Sequence, residues 1–134
     1  MMSTAMMVYL AWQEDDWLDE ILDRFSEVRA MVPNAKTFRL LKEEKDSQQI
    51  DRYVVIVLNA AYEQEECRQF LQQWEADGRS AHDSLYIVGL KPDEQESWQR
   101  AYPQANIIVI TGFAVEFDYD SVLSQMESDL EGSR

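Results

Sequence analysis

The feature that most constrains the fold is an unbroken apolar run, YVVIVL, at residues 53–58. The run is rich in β-branched residues, and at six residues it suits a strand better than a helix. Strands that are covered by helices on both faces, as in a parallel sheet, have continuous apolar sequences of this kind. The run therefore predicts the central strand of a parallel sheet.

Apolar runs and helical patterns alternate along the rest of the chain. The predicted strands are Ala5–Ala11, Lys36–Leu41, Tyr53–Leu58, Leu85–Leu90 and Ile107–Thr111. The predicted helices are Asp16–Met31, 62–77, a segment after Pro92, and Asp120–Leu130, while residues 42–52 leave room for a loop and at most a short helix. Alternation of this kind builds βαβ units with right-handed crossovers. We expect a single α/β domain over residues 1–134, a three-layer α/β/α sandwich whose five-stranded parallel sheet has the flavodoxin-like order 2-1-3-4-5.

Several local signals support these boundaries. The first helix has apolar residues at helical spacing, which predicts one inward face made of Trp17, Leu18, Ile21, Leu22, Phe25 and Val28. Pro33 is expected to end that helix, because proline disfavours helical geometry in the residue before it. Asp93 and Glu96 have the spacing of a capping box after Pro92.

Charge and cysteine content narrow the class of protein. Twelve basic and twenty-six acidic residues give a net charge of −14, which argues against binding to a nucleic-acid backbone and favours a basic protein partner or simple solubility. The acidity is concentrated in residues 51–134, where six basic and sixteen acidic residues give −10. A single cysteine fits a reducing, cytoplasmic location, and no apolar stretch approaches the roughly 18 residues of a membrane span.

Ligands of such folds bind at the carboxyl ends of the strands, where an acidic pair follows the first strand. Asp15 and Asp16 offer two carboxylates for a magnesium ion, with Asn59 after the third strand as a further oxygen ligand. The layout resembles a response-regulator receiver domain, but Asn59 replaces the phospho-accepting aspartate and Lys91-Pro92 comes one strand early. Phosphotransfer is therefore disfavoured, and we expect Asp15 and Asp16 to cap the first helix.

Other reactive groups fit structural roles. Cys67 lies on an apolar helical stripe and is expected in the core, and the single histidine, His82, lies in a predicted turn. The four glycines are scattered, so no phosphate-binding loop is formed. We predict no catalytic residue, cofactor or metal.

The chain is instead expected to act through contacts at the carboxyl edge of the sheet. The candidate partner-binding residues are Trp12, Glu14, Asp15, Asp16, Asn59, Tyr62, Glu63, Lys91, Thr111 and Phe113. Self-association as a homodimer is a further expectation.

Two segments resemble Toll/interleukin-1 receptor (TIR) domains. VYLAWQEDDWLDEIL is similar to the strand and acidic, Trp-containing helix start that open those domains, and DRYVVIVLNAAYEQEECRQFLQQW is similar to their third strand and following helix, with Tyr62 and Cys67 in comparable places. In TIR domains that cleave NAD, a glutamate follows that cysteine by three residues, and here the position is Phe70. The predicted connection between strands two and three is also short for the family.

The resemblance therefore implies a degenerate, non-enzymatic member that acts through protein contacts. Two alternatives remain open at this point. One is an acidic inhibitor or immunity-type protein that covers a basic enzyme. The other is a nucleotide or NAD hydrolase that uses the carboxylates Asp15, Asp16 or Glu66 near the strand ends.

Overall fold

In the computed structural model, residues 6–25, 28–46, 54–76, 84–110 and 117–131 are described. The strands are β1 (Met6–Leu10), β2 (Val28–Met31), β3 (Val54–Asn59), β4 (Ser84–Val88) and β5 (Asn106–Ile107). The helices are α1 (Asp16–Arg24), α2 (Ala35–Asp46), α3 (Gln64–Ala76), α4 (Gln95–Ala101) and α5 (Tyr119–Glu131), and a 3₁₀ turn at Pro92–Glu94 precedes α4.

The strands form one sheet in the order β2-β1-β3-β4-β5, and each neighbouring pair is parallel. The predicted strand order and the α/β class are confirmed. The apolar run that predicted a central strand lies in β3, where Val55, Ile56, Val57 and Leu58 are completely buried. Both faces of β3 are covered, which explains why its sequence does not alternate.

Helices cover the sheet on both sides and give the molecule three layers. On one side, α1 and α5 pack on the sheet through residues that include Trp17, Ile21, Leu123 and Met126. On the other side, α2, α3 and α4 contribute residues that include Leu41, Cys67, Phe70, Leu71, Trp74 and Trp98. This arrangement is consistent with a flavodoxin-like sandwich.

An aromatic cluster fixes α2 against α3. The ring of Phe38 lies edge-on to Phe70 and Trp74, with centroid distances of 6.1 and 6.0 Å, and the latter two rings are stacked. Edge-on and offset-stacked contacts at these distances are the favoured geometries of aromatic pairs. Segment 35–46 is thus held as a helix by tertiary packing as well as by its own propensity.

The prediction of one long helix over Asp16–Met31 is wrong beyond Arg24. Helix α1 ends there with Phe25 in extended geometry, and Val28–Met31 forms the edge strand β2. Val28 continues the helical spacing, but it packs from β2 onto the same apolar cluster. Leu22, predicted to face inward, is 52% exposed.

The prediction of a strand at Lys36–Leu41 is also wrong, because those residues belong to α2. Asn34 begins that helix: its Oδ1 accepts a hydrogen bond of 2.9 Å from the backbone N–H of Thr37. The connection between β2 and β3 therefore contains a twelve-residue helix. The connection is therefore longer than predicted, and its length no longer distinguishes the chain from TIR domains.

The remaining boundaries agree with the predictions to within a few residues, and Leu123 and Met126 of α5 face inward as predicted. The capping box expected from Asp93 and Glu96 is displaced: Glu94 accepts the hydrogen bond, from the backbone N–H of Lys91 at 2.9 Å. Tyr53 and Thr111, predicted strand ends, lie outside the described residues. No helix in the described part of the chain is long and apolar enough to cross a membrane.

Candidate functional site

Three polar side chains meet at the carboxyl ends of β1 and β3. The hydroxyl of Tyr9 donates to Asp15 Oδ1 at 2.7 Å. The Nδ2 of Asn59 donates to the Tyr9 hydroxyl at 2.9 Å and also to Asp15 Oδ2. We call Tyr9, Asp15 and Asn59 the strand-end triad. The expectation that Asp15 and Asn59 lie together is confirmed, because parallel neighbouring strands end at the same edge.

Asp15 also begins α1, as predicted. Its Oδ1 faces the backbone N–H of Leu18 at 3.4 Å, and its backbone is extended, as is typical of the residue that caps a helix. Both carboxylate oxygens therefore accept hydrogen bonds from within the protein. Asp16 is the first residue of the helix and is exposed.

The amide orientation of Asn59 decides what the triad can do chemically. Its Oδ1 accepts a 2.9 Å hydrogen bond from the backbone N–H of Ala61, and its NH₂ group faces the triad. The amide thus offers a donor, not an oxygen ligand, to the neighbourhood of Asp15. No group of three or more metal-ligating side chains occurs among the residues that the structure describes.

Gly89, in the turn after β4, makes room for this arrangement. Its φ is +84°, and a Cβ atom placed there would lie 2.2 Å from Asn59 Oδ1. Only glycine combines this backbone geometry with this close approach. The sequence signal was a glycine at the end of a predicted strand, but its contact with the triad follows only from the pairing of β3 with β4.

Burial raises the pKa values of two groups in or beside the triad, Tyr9 and Cys67. Burial raises the pKa of Tyr9 above its ordinary value, and the carboxylate of Asp15 adds to that shift. Burial likewise raises the pKa of the Cys67 thiol to about 12. Cys67 lies in the core as predicted, 3.8 Å from the carbonyl oxygen of Asn59, and it is a thiol at neutral pH. His82 lies outside the described residues.

The loops after β3 and β4 are tied together by polar contacts. Gln64 Nε2 donates to the carbonyl of Ala60 and to Glu94 Oε2, each at 3.0 Å. Within the loop after β3, Tyr62 is 47% exposed and Glu63 has a positive φ of 52°. A positive φ is unfavourable for a residue with a side chain, and such strain is found at binding and switch sites.

The predicted partner-binding residues fall into three groups. Exposed side chains are Glu14, Asp16, Tyr62, Glu63 and Lys91, which we call the carboxyl-edge surface. Trp12 and Asp15 are partly buried and Asn59 is buried, so Asn59 reaches the edge only through its hydrogen bonds. Thr111 and Phe113 lie outside the described residues.

Several clefts adjoin this surface on the α1 and α5 side, among them a strand-end cleft and an acidic cleft. The strand-end cleft, of about 270 Å³, is lined by Asp15–Trp17, by Gly89 and Leu90, and by Ile110 and Tyr119. The acidic cleft, of about 580 Å³, is lined by Asp16, Asp19, Glu20, Phe117, Asp118, Tyr119 and Asp120. The sequence predicts that ligands of such a fold bind at the strand ends and leaves open whether a cleft there binds a small molecule, but it does not predict the lining of either cleft, because the lining residues are far apart in the chain.

Comparisons with protein-family models, with curated proteins and with solved structures find no match to the chain.

Proposed function

We propose that this protein is a non-enzymatic protein-interaction or signalling module on a TIR-like or receiver-like scaffold. The observation that carries the proposal is the strand-end triad. The carboxylate and the amide at the usual reactive position hydrogen-bond to each other and to Tyr9, so these groups stabilise the loops. Their hydrogen-bonding capacity is used within the fold and not offered to a substrate.

Phe70 supports the same proposal from the opposite layer. It stands where the resemblance to TIR domains places a catalytic glutamate, and it is 2% exposed, packed against Phe38 and Trp74. A glutamate in that cluster would bury a charge among aromatic rings, which is costly. The position is thus adapted to packing. The TIR-like relationship and a cytoplasmic location remain predictions.

Recognition is assigned to the carboxyl-edge surface, which combines the exposed ring of Tyr62 with charged side chains. Exposed aromatic residues are enriched among the residues that contribute most to protein interfaces. The strained backbone at Glu63 lies beside that ring. A partner that contacts this loop would cover the exposed part of that ring.

The test is capture of a partner from an extract of the native host, with a matched pair of variants. Tyr62→Ser with Glu14→Lys alters the carboxyl-edge surface. Gln72→Ser with Glu75→Lys makes the same kinds of change on exposed positions of α3. We expect the wild type and the α3 variant to retain the same protein and the edge variant to lose it. Equal retention by both variants would contradict the proposal.

Two further measurements complete the test. Size-exclusion chromatography with light scattering reports whether a second copy is a partner, because a homodimer has twice the monomer mass. Incubation with NAD or a nucleoside triphosphate tests the hydrolase alternative. Turnover by the wild type that is abolished by Asp15→Asn would overturn a non-enzymatic function.

A second candidate function, an acidic inhibitor or immunity-type protein for a basic enzyme, is favoured by the acidic cleft. Five of its seven lining residues are carboxylates, and one of them, Asp120, pairs with Arg24. Electrostatically steered binding is fast and falls steeply with salt. An affinity for the captured partner that is the same in about 20 mM and about 200 mM NaCl, a range over which screening changes strongly, would exclude this candidate.

A further inference from the structure

The strand-end cleft joins two chemical features that the proposed function does not use. Its lining is partly apolar and aromatic, from Trp17, Leu90, Ile110 and Tyr119, and partly acidic, from Asp15 and Asp16. The cleft opens where β1 and β4 end, which is the edge at which folds of this type bind their ligands.

The aromatic walls are held in place by packing on the sheet. Trp17 is 3% exposed, and its ring lies edge-on to Tyr119 at a centroid distance of 4.8 Å and to Phe117 at 5.8 Å. Rings fixed by such contacts lose little side-chain entropy when a ligand binds. Aromatic faces also attract cations within about 6 Å through their quadrupole.

The surroundings of the cleft carry negative charge. The acidic cleft adjoins it and shares Asp16 and Tyr119 with it. Of the cationic residues described nearby, Arg24 pairs with Asp120 and Glu127, and Lys91, which follows the lining residue Leu90, is exposed. Burial is the largest cause that raises the pKa of Tyr119, and the negative charges of Asp16, Glu20 and Asp15 raise it further. Low-dielectric walls concentrate such a field.

The size of the cleft limits the ligand. Pockets for drug-sized molecules occupy roughly 300–1,000 Å³, and this cleft has about 270 Å³. It therefore suits a single long side chain or a small amine. Phosphate and carboxylate ligands are disfavoured by Asp15 and Asp16.

We propose that the strand-end cleft binds an organic cation, the guanidinium or ammonium group of one arginine or lysine side chain on a protein partner. The alkyl part of that side chain contacts Leu90, Ile110 and the rings, and the charged end meets the carboxylate of Asp16. Asp15, already held by the triad, contributes its negative charge. The inference rests on the proposed function, because it names the chemical group that the partner inserts beside the carboxyl-edge surface.

The experiment uses two blocked amino acids of nearly equal shape. N-acetyl-arginine amide carries the positive charge, and N-acetyl-citrulline amide replaces the guanidinium by a neutral urea. Each is titrated into the full chain and followed by two-dimensional ¹H–¹⁵N NMR at low salt. We expect saturable shifts of the amides of Asp16, Gly89 and Tyr119 with the arginine probe, and affinity for the citrulline probe at least roughly fivefold weaker, the scale of one partly exposed charge interaction.

A matched pair of variants assigns the effect to the cleft. Asp16→Asn removes a charge from the lining of the cleft, and Asp23→Asn removes one elsewhere on the exposed part of α1. Affinity should fall roughly threefold to tenfold in the first variant and change less than about twofold in the second. Equal affinity for the two probes, shifts confined to other residues, or no saturation of the arginine probe would overturn the proposal.

A third probe, butylguanidinium, distinguishes a protein side chain from a small free cation. If it binds more tightly than the blocked arginine, the cleft is a site for small cations and the assignment to a protein partner is wrong. The experiments also distinguish a failure of this inference from a failure of the proposed function. Loss of partner capture in the Tyr62→Ser, Glu14→Lys variant without any binding of the arginine probe would remove only the inference.

Discussion

At Gly89 the backbone conformation and a neighbouring amide together exclude any side chain. The φ of +84° is in the region that favours glycine, and the oxygen of Asn59 occupies the place of a Cβ atom. The same oxygen accepts the hydrogen bond from Ala61 that orients the triad. Gly89 therefore supports the amide that orders the carboxyl edge, although it has no side chain of its own.

Gly89→Ala should lower the free energy of unfolding by about 2–4 kcal/mol, measured by urea denaturation. About 1–2 kcal/mol comes from the positive φ, and the remainder from displacing Asn59 and breaking its hydrogen bonds. In an Asn59→Ala background the conflict with the amide is gone and only the contact with the Ala61 backbone nitrogen at 3.1 Å remains, so the same substitution should cost less than in the wild type. Strictly additive effects of the two substitutions would contradict the contact.

A substitution at Glu63 is expected to stabilise the protein, in contrast to the substitution at Gly89. Its φ of 52° places a side-chain residue in left-handed geometry at an exposed loop. Glu63→Gly should raise the free energy of unfolding by about 0.5–1 kcal/mol, because relief of about 1–2 kcal/mol of backbone strain exceeds the added flexibility of the unfolded chain. Gln72→Gly, on the exposed face of α3, is the control and should lower it by about 1 kcal/mol. A loss of stability in both variants would show that position 63 is unstrained.

At the scale of elements, the segment 28–46 shows what sequence reasoning resolves and what it does not. The central strands were predictable. For example, β3 is buried on both faces, and its continuous apolar sequence reflects that burial. The edge strand β2 has only four residues, and Val28 continues the periodicity of α1, so no sequence signal separated the two. Pro33 predicts the end of one helix, and the residue after it, Asn34, begins the next.

The residues around the triad also differ in how far the sequence predicts their roles. The meeting of Asp15 and Asn59 was predictable, because both follow strands that are neighbours in a parallel sheet. The part played by Tyr9 was not, because a tyrosine within an apolar strand resembles any other core residue until the register places its hydroxyl beside Asp15. Gly89 required the pairing of β3 with β4.

The cap of α2 can be tested directly. Asn34→Ala removes the acceptor for the Thr37 N–H and should lower the free energy of unfolding by about 0.5–2 kcal/mol. Asn34→Asp keeps an acceptor of similar geometry and should stay close to the wild type. Urea denaturation gives the energies, and backbone chemical shifts show whether residues 35–46 are helical. An unchanged stability in the alanine variant would remove Asn34 as the helix start.

For the whole molecule, the dominant electrostatic fact is a net charge of −14 on a chain of 134 residues. Like charges on a compact body repel each other and destabilise it, and salt screens that repulsion. The repulsion is strongest in the acidic cleft, because one space is lined by four carboxylates, those of Asp16, Asp19, Glu20 and Asp118, in addition to the paired Asp120. The fold thus places like charges close together at the edge where the parallel strands end.

Salt should therefore stabilise this protein, and the acidic cleft should account for a disproportionate share of the effect. The urea midpoint is expected to rise between about 20 mM and about 300 mM NaCl, as the Debye length falls from roughly 20 Å to roughly 6 Å. Asp19→Asn, Glu20→Gln and Asp118→Asn together should reduce that rise. A control that neutralises the scattered exposed residues Glu43, Glu75 and Asp93 removes the same charge but should reduce the rise less. Equal reductions would show that net charge, not the cleft, sets the salt response.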